Sequence, residues 1–281
     1  MIAEFPRVLI VGNGTWGNKV TLALRNSQKI VTSQIGAREF LALAGKNSSL
    51  IDVDVIWICT TPAFQIKLLK LLQPTGFLGL LLIEKPFASD KGEYNTLLES
   101  KIALPGLSIS NPWTYSEMWR NFKNEFEQKG HEYQIEGIRQ GPVQRDYISP
   151  QQDWLFHDLM LSLDLAKHIS TETDLIVVVD FVDIEKQGIS VRISPEVKIK
   201  ISGGFALERV AKWTVLYENV TATLNFQTNE FSSLRGESEG LCHDLVSYSD
   251  HPLSTMLYSL INQYQNEAEF VYSLEILSSL K

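Results

Sequence analysis

Val8-Leu9-Ile10-Val11-Gly12-Asn13-Gly14-Thr15-Trp16-Gly17 is the stretch that sets the fold of the first half of the chain. Four β-favouring apolar residues run straight into G-x-G-x-x-G, and a helix-compatible segment, 18–26, follows at once. Glycine runs alone make many flexible loops, but between a buried-type strand and a helix they specify a turn that meets a dinucleotide. Gly12 allows the tight turn out of the strand, Gly14 lets a pyrophosphate come against bare backbone, and Gly17 lets helix and strand pack closely. The phosphates then rest on free N–H groups at the positive end of the helix dipole, with Asn13, Thr15 and Trp16 completing the cradle.

The 281 residues give enough length for two domains, and 44% hydrophobic with 21% charged residues is the balance of an ordinary globular protein. A formal net charge of −8 excludes a broad nucleic-acid or anionic-membrane surface, which needs clustered Lys and Arg. Cys59 stands in an apolar run and Cys242 in a polar one, so neither a disulfide framework nor a thiolate metal site is expected. Residues 1–6 carry Glu4 without a basic start, and the longest apolar run, 77–83, is interrupted by Gly79 and far too short to span a membrane. A cytoplasmic protein with no secretory leader is the expectation.

Strands are expected at 29–34, 54–59, 78–83 and 107–110, and helices at 38–44, 64–72 and 89–101. This alternation predicts a Rossmann-like, doubly wound parallel sheet over 1–110. Strand 54–59 ends in Thr60-Thr61-Pro62 and strand 78–83 in Glu84-Lys85-Pro86, at the ends where such sheets meet their cofactor. In NAD-binding folds an acidic residue about 20 residues beyond the first strand holds the ribose hydroxyls. Here the neighbourhood offers Thr32, Ser33, Gln34 and Arg38. Uncharged donors and an arginine suit a 2′-phosphate, so NADP is favoured over NAD, with Ser33 and Arg38 as contacts. Arg38 is equally what a solvated helix carries.

From 111 to 281 the pattern changes to short period-two runs at 133–139, 175–181, 190–193, 197–201, 212–217 and 220–226, with turn signals at Gly188, Gly203-Gly204 and Glu218-Asn219. This predicts an α+β second domain with an open, largely antiparallel sheet. Asp250-His251-Pro252 marks the start of a long amphipathic helix over 253–280.

Residues 153–169 are apolar almost all round, the mark of a buried helix, so the charged groups in it need an explanation. Asp153 and His157 are four apart, so the carboxylate can orient the imidazole; an N-cap Asp153 with a satisfied histidine one turn on is the plainer alternative. His157 and His168 are separated by ~16 Å of helix and cannot share an ion, so no metal is expected. His131, His243 and His251 stand in polar, loop-like surroundings. Lys85, at the end of a buried strand and held extended by Pro86, points to the nicotinamide crevice; the alternative is a solvated lysine paired with Glu84.

Together, Gly12-Asn13-Gly14-Thr15-Trp16-Gly17, Thr61-Pro62, Glu84-Lys85-Pro86 and Asp153-x-x-x-His157 resemble the Gfo/Idh/MocA family of NAD(P)-dependent oxidoreductases, which act on sugars and cyclitols. The likeness spans nearly the whole chain, with Pro252-Leu253 matching the family's closing helix. It implies that Lys85, Asp153 and His157 surround the carbon that exchanges hydride with the nicotinamide. Trp16 and the run His157-Asp158-Leu159 look most like members that handle nucleotide-linked sugars. A histidine common after the Thr-Pro is absent, since Gln65 and Ile66 stand there, and Ser149-Pro150-Gln151-Gln152 replaces a glycine-rich approach to the Asp/His helix.

The expected function is therefore hydride transfer between a nicotinamide and a hydroxyl or keto carbon of a sugar. His157 takes the proton, Asp153 orients it and Lys85 stabilises the alkoxide; Lys85 as the proton carrier stays open. Trp113 and Tyr115 are candidates to line the sugar site, with core packing as the alternative. A dinucleotide-sensing regulator without turnover and an imine reductase are the competing readings. The exposed face of the open sheet is expected to pair copies into a homodimer or higher homo-oligomer.

Overall fold

A computed structural model describes residues 5–27, 29–44, 52–88, 91–124, 133–142, 156–169, 178–182, 188–192, 197–205, 207–217, 220–237, 240–249, 251–263 and 270. By packing, the chain divides into two units, Met1–Pro112 with His251–Glu275, and Trp113–Asp250 with Ile276–Lys281.

In the first unit the unbroken apolar runs become sheet. Strands β1 (Arg7–Val11), β2 (Val31–Ile35), β3 (Val55–Ile58), β4 (Leu80–Ile83) and β5 (Leu107–Ile109) pair in parallel in the order β2-β1-β3-β4-β5, five among the described residues. Val55-Ile56-Trp57-Ile58 and Leu80-Leu81-Leu82-Ile83 are buried at every position, as a sheet covered on both faces requires. Helices α1 (Thr15–Arg25), α2 (Ala37–Ala44), α3 (Pro62–Leu72) and α4 (Lys91–Ala103) alternate with these strands. Strand order reverses between β1 and β3, and ligands of such sheets bind beyond the carboxyl ends of the strands at that reversal. The glycine loop leaves β1 there, and Thr60-Thr61-Pro62 leaves β3.

After a 3-10 turn, Pro112–Tyr115, come α5 (Glu117–Asn124), β6 (Tyr133–Gly141), α6 (Phe156–Ile169), β7 (Val178–Val182), β8 (Gly188–Arg192), β9 (Val197–Phe205), β10 (Val210–Tyr217), β11 (Val220–Asn225), β12 (Glu230–Glu237) and β13 (Gly240–Ser247). The strands form one sheet in the order β13-β12-β11-β10-β6-β9-β8-β7, antiparallel among the described residues except between β6 and β9. Burial alternates along β6, so Tyr133, Ile135, Gly137 and Arg139 face inward and Gln134, Glu136 and Ile138 outward.

Helix α6 is tied to the inward face through Asp158, which is wholly buried. Arg139 of β6 forks onto it, Nε to Oδ2 and Nη2 to Oδ1 at 3.0 Å, and the Trp213 indole of β10 donates to Oδ1 at 2.6 Å. Trp213 reaches that carboxylate because the residue paired with it in β6 is Gly137, where a Cβ would come within 2.8 Å of the indole nitrogen. A second indole acts alike: Trp119 of α5 donates to Asp164 of α6 at 2.6 Å, beside Lys123 Nζ at 2.6 Å. The carboxylates of Asp158 and Asp164 are thus explained by partners on neighbouring elements, which is what burial demands.

Several elements differ from the sequence expectation. Gly203-Gly204 do not turn: they lie inside β9, where the parallel ladder to β6 runs on through Gly141 and Phe205 and holds the backbone extended. Gly188 likewise opens β8 instead of turning, paired with Val182. Strands β12 and β13 were not expected, because Ser232-Ser233 and the mixed run 240–247 lack apolar alternation; ladder hydrogen bonds hold them at the sheet margin. His243 accordingly sits in a strand rather than a loop, paired with Leu234. The helix expected over 253–280 is interrupted after α7 (Pro252–Asn262), where Gln263 takes extended backbone with φ −148° and ψ 103°; 264–269 and 271–280 lie outside the described residues, and Phe270 is again helical. This helix packs on α1 in the first unit, where Asn111 N–H donates to Met256 Sδ at 3.2 Å and Tyr258 OH to Lys29 O at 3.0 Å. No helix among the described residues is long and apolar enough to cross a membrane.

Asp158→Ala leaves the Arg139 guanidinium buried without its carboxylate. It should lower the unfolding free energy of the second unit by roughly 3–5 kcal/mol in chemical denaturation; a loss under about 1 kcal/mol, as for an exposed pair, would reject Asp158 as the tie.

Candidate functional site

The three glycines of the loop after β1 have three different surroundings. Gly12 has φ +127°, and a Cβ there would stand 2.3 Å from Cys59 O, so the turn out of β1 passes against the exit of β3. At Gly17 a Cβ would stand 2.2 Å from Gly12 O, so α1 lies on the end of β1 with no room for a methyl group. Around Gly14 a Cβ would meet nothing within 4 Å, so here the loop backbone is open to approach. Gly14 is also the N-cap of α1, with extended ψ of 179° and no side-chain cap, and the first helical bond runs from Asn18 N–H to Gly14 O at 3.0 Å. The amides of Thr15, Trp16 and Gly17 precede that bond and have no intrahelical acceptor. Together with the helix dipole they form a cradle whose chemistry fits a pyrophosphate.

The loop is pinned from β2. Gly12 N–H donates to Ile35 O at 2.8 Å, and Gln34 Nε2 donates to Gly12 O at 2.9 Å and to Asn18 Oδ1 at 2.8 Å. Ser33 is directed elsewhere: it lies mid-strand and its hydroxyl reaches back to Val8 O at 3.4 Å, so it does not stand at the end of β2 with the loop. Arg38 is exposed in the first turn of α2, just past Gly36.

Glu84 and Lys85 follow the end of β4. Glu84 turns inward, nearly fully buried, and accepts from the Trp57 indole of β3 at 2.8 Å. Burial pushes its carboxyl above the usual glutamate range, opposed by polar contacts with Ser110, Trp16 and Trp57 and by the charge of Lys85. Cys59, next to the loop, has its thiol pushed well up by burial and then by the Glu84 charge, which leaves it protonated and unreactive. Lys85 is half-buried, and its bond to Pro86 is cis. Thr61 occupies the N-cap position of α3 without a side-chain cap bond, Pro62 takes the first helical position, and Gln65 in the same turn sends its amide back to Thr60, Glu84 and Pro86.

In the second unit His157 stands half-buried in the first turn of α6, its ring edge-on to Phe156 with centroids 5.6 Å apart. Asp153 lies outside the described residues. His168 is exposed near the far end of the helix. Trp113 packs edge-on against Phe226 at 5.2 Å, which supports the packing alternative for that residue, and Tyr115 is half-buried in the same 3-10 turn. Among the described residues no cluster of His, Cys, Asp or Glu is placed to hold a metal ion.

No protein-family model and no curated protein matches the chain. Solved structures do. UDP-N-acetylglucosamine 3-dehydrogenase GnnA from Acidithiobacillus ferrooxidans is similar at 16% identity over 98% of this chain and 96% of that one, with a TM-score of 0.69. An NAD binding oxidoreductase from Klebsiella pneumoniae is similar at 10% identity over 99% and 96%, with a TM-score of 0.70. A variant of KijD10, a 3-ketoreductase from Actinomadura kijaniata in complex with TDP-benzene and NADP, is similar at 11% identity over 98% and 96%, with a TM-score of 0.71. The chain has the two-domain fold of these oxidoreductases. At such identities the likeness is one of fold.

Sequence reasoning named Gln34 and Gln65 without their partners and missed Trp57. Each is a hydrogen-bonding side chain inside or beside an apolar run, and that mismatch was the available signal. Glu84 supplies a measurable consequence. Its folded carboxyl keeps its proton to higher pH than the unfolded one, so as pH rises the unfolded chain ionises first and stability falls until the folded group ionises too. Thermal denaturation of Glu84→Gln between about pH 4 and pH 7 should show a smaller loss of stability with rising pH than the parent chain; parallel curves would mean that the buried carboxyl is not the group responsible.

Proposed function

We propose that the chain is an NAD(P)-dependent oxidoreductase of the Gfo/Idh/MocA type that moves hydride to or from a hydroxyl-bearing carbon of a sugar or nucleotide-linked sugar. The observation that carries the reading is the glycine loop at the strand-order reversal: two glycines are required by backbone contact, while Gly14 stands open beside the free amides of α1. When bound, NAD(P) supplies or accepts the hydride at its nicotinamide. The pyrophosphate is held by the backbone of Asn13, Gly14, Thr15, Trp16 and Gly17, with Thr60, Thr61 and Pro62 at the neighbouring strand end. Lys85 stabilises negative charge on the substrate oxygen, His157 takes the hydroxyl proton in oxidation and returns it in reduction, and Asp153 orients His157. Tyr115 borders the substrate, with Trp113 packed beside it on Phe226.

NADP is the favoured form. No carboxylate stands at the end of β2, where Gln34, Ile35 and Gly36 are found, and Arg38 one turn on is free to meet a 2′-phosphate. Sugar substrates are supported by the neighbouring structures, which include an enzyme of UDP-N-acetylglucosamine and a complex with TDP-benzene.

Titration with NADPH and NADH, followed by fluorescence, should show tighter binding of NADPH; Gly14→Ala should weaken it by at least roughly tenfold, about one charged hydrogen bond's worth. With keto-sugar substrates, Lys85→Ala and His157→Ala should each lower kcat by roughly 100-fold or more. Unchanged turnover in both would reject the catalytic assignment, and tight cofactor binding without turnover across a broad panel would make the protein a sensor.

The outward face of the second sheet carries Ile138, Leu216, Leu234 and Leu245, between 37% and 61% exposed, on four strands. We assign this face to pairing with a second copy of the chain. Sedimentation should show a dimer or higher oligomer that Leu216→Lys with Leu234→Lys converts to monomer; a monomeric parent chain would reject the assignment.

A further inference from the structure

Gln65 occupies a position that suits leucine. It is wholly buried in the first turn of α3, on the same helix as buried Ile66, Leu68, Leu69 and Leu72. A primary amide there is costly unless its N–H groups find acceptors. They do: the two hydrogens of Nε2 are shared among Thr60 O at 3.1 Å, Glu84 O at 2.7 Å and Pro86 O at 3.2 Å, while the buried Oε1 has no hydrogen-bond partner among the described residues. Helical side chains lean toward the N-terminus of their helix, so a glutamine in this first turn reaches back under the strand ends, which a residue one turn later could not. Its own N–H closes the turn on Thr61 O at 2.9 Å, which fixes where the reach begins.

Two of the three acceptors are the residues immediately before and after Lys85, and the third lies at the exit of the neighbouring strand β3. One buried amide therefore holds the backbone on both sides of a single lysine and ties it to the strand beside the glycine loop. We propose that Gln65 is the positioning residue for Lys85, setting the direction from which the ammonium meets the substrate oxygen. The kinetic part of this proposal rests on the catalytic assignment of Lys85, and the structural part does not. Gln65 itself acts through the backbone and has no chemical step of its own.

Gln65→Met keeps the length and volume and removes the donors. Gln65→Asn, which keeps the amide but is one methylene short, takes its place if the methionine variant does not fold. Two measurements decide the matter. In protein methylated with ¹³C-formaldehyde, the Lys85 methyl resonance, identified by its loss in Lys85→Arg, should shift or broaden in Gln65→Met while the other lysine signals hold. In turnover, Gln65→Met should lower kcat by roughly 10- to 100-fold with KM less affected, as expected of a misplaced group. Added to Lys85→Ala, it should change kcat by less than about twofold. An unaltered Lys85 resonance, or an equal loss of kcat with and without Lys85, overturns the proposal. If Lys85→Ala leaves turnover intact, the catalytic role of Lys85 fails, and the resonance alone still decides whether Gln65 holds it.

Discussion

A single carbonyl oxygen, that of Gly12, organises the first unit. It accepts from Gln34, and it stands where any side chain at Gly17 would have to be. Because β1, the start of α1 and the exit of β3 meet there as bare backbone, the helix axis is brought against the strand end and its leading amides face outward at the strand-order reversal. Everything proposed for the site follows from that close approach: with side chains at Gly12 or Gly17 the three segments would stand further apart.

The polar anchors of the two units have a common chemistry. Glu84 accepts from Trp57, Asp158 from Trp213 and Asp164 from Trp119, three pairs drawn from the chain's six tryptophans. A buried indole needs an acceptor for its one N–H, and a buried carboxylate needs donors, so each satisfies the other while the ring fills core volume. Where a positive charge joins, as Arg139 does at Asp158, the buried carboxylate gains a charged partner as well as the indole. Glu84 has weaker support and is accordingly pushed toward its protonated form.

The alternation of strand and helix through 1–110 was legible because each element there is decided locally, by an apolar run or a glycine turn. The same holds for the close backbone approaches at Gly12 and Gly17. What escaped notice depends on partners far along the chain. Nothing around Asp158 in the sequence announces Arg139 or Trp213, and nothing around Gln65 announces the carbonyls of Glu84 and Pro86. Ser33 was chosen by residue type, and only the register of β2 against β1 shows that it lies mid-strand with its hydroxyl on Val8 O. Strands β12 and β13 escaped because marginal strands are held by ladder hydrogen bonds, which leave little imprint on hydrophobic pattern.

Helix α7 has a bearing on how the chain is made. The backbone leaves the first unit near Pro112 and returns to it only at His251, so the groups that receive α7, Asn111 N–H and Lys29 O among them, emerge from the ribosome long before Met256 and Tyr258 do. During that interval the nucleotide-type sheet can form, but the surface of α1 that α7 will cover faces water. The first unit is therefore finished last although it is begun first, and translation must pass through the whole intervening β-sheet before that surface is sealed.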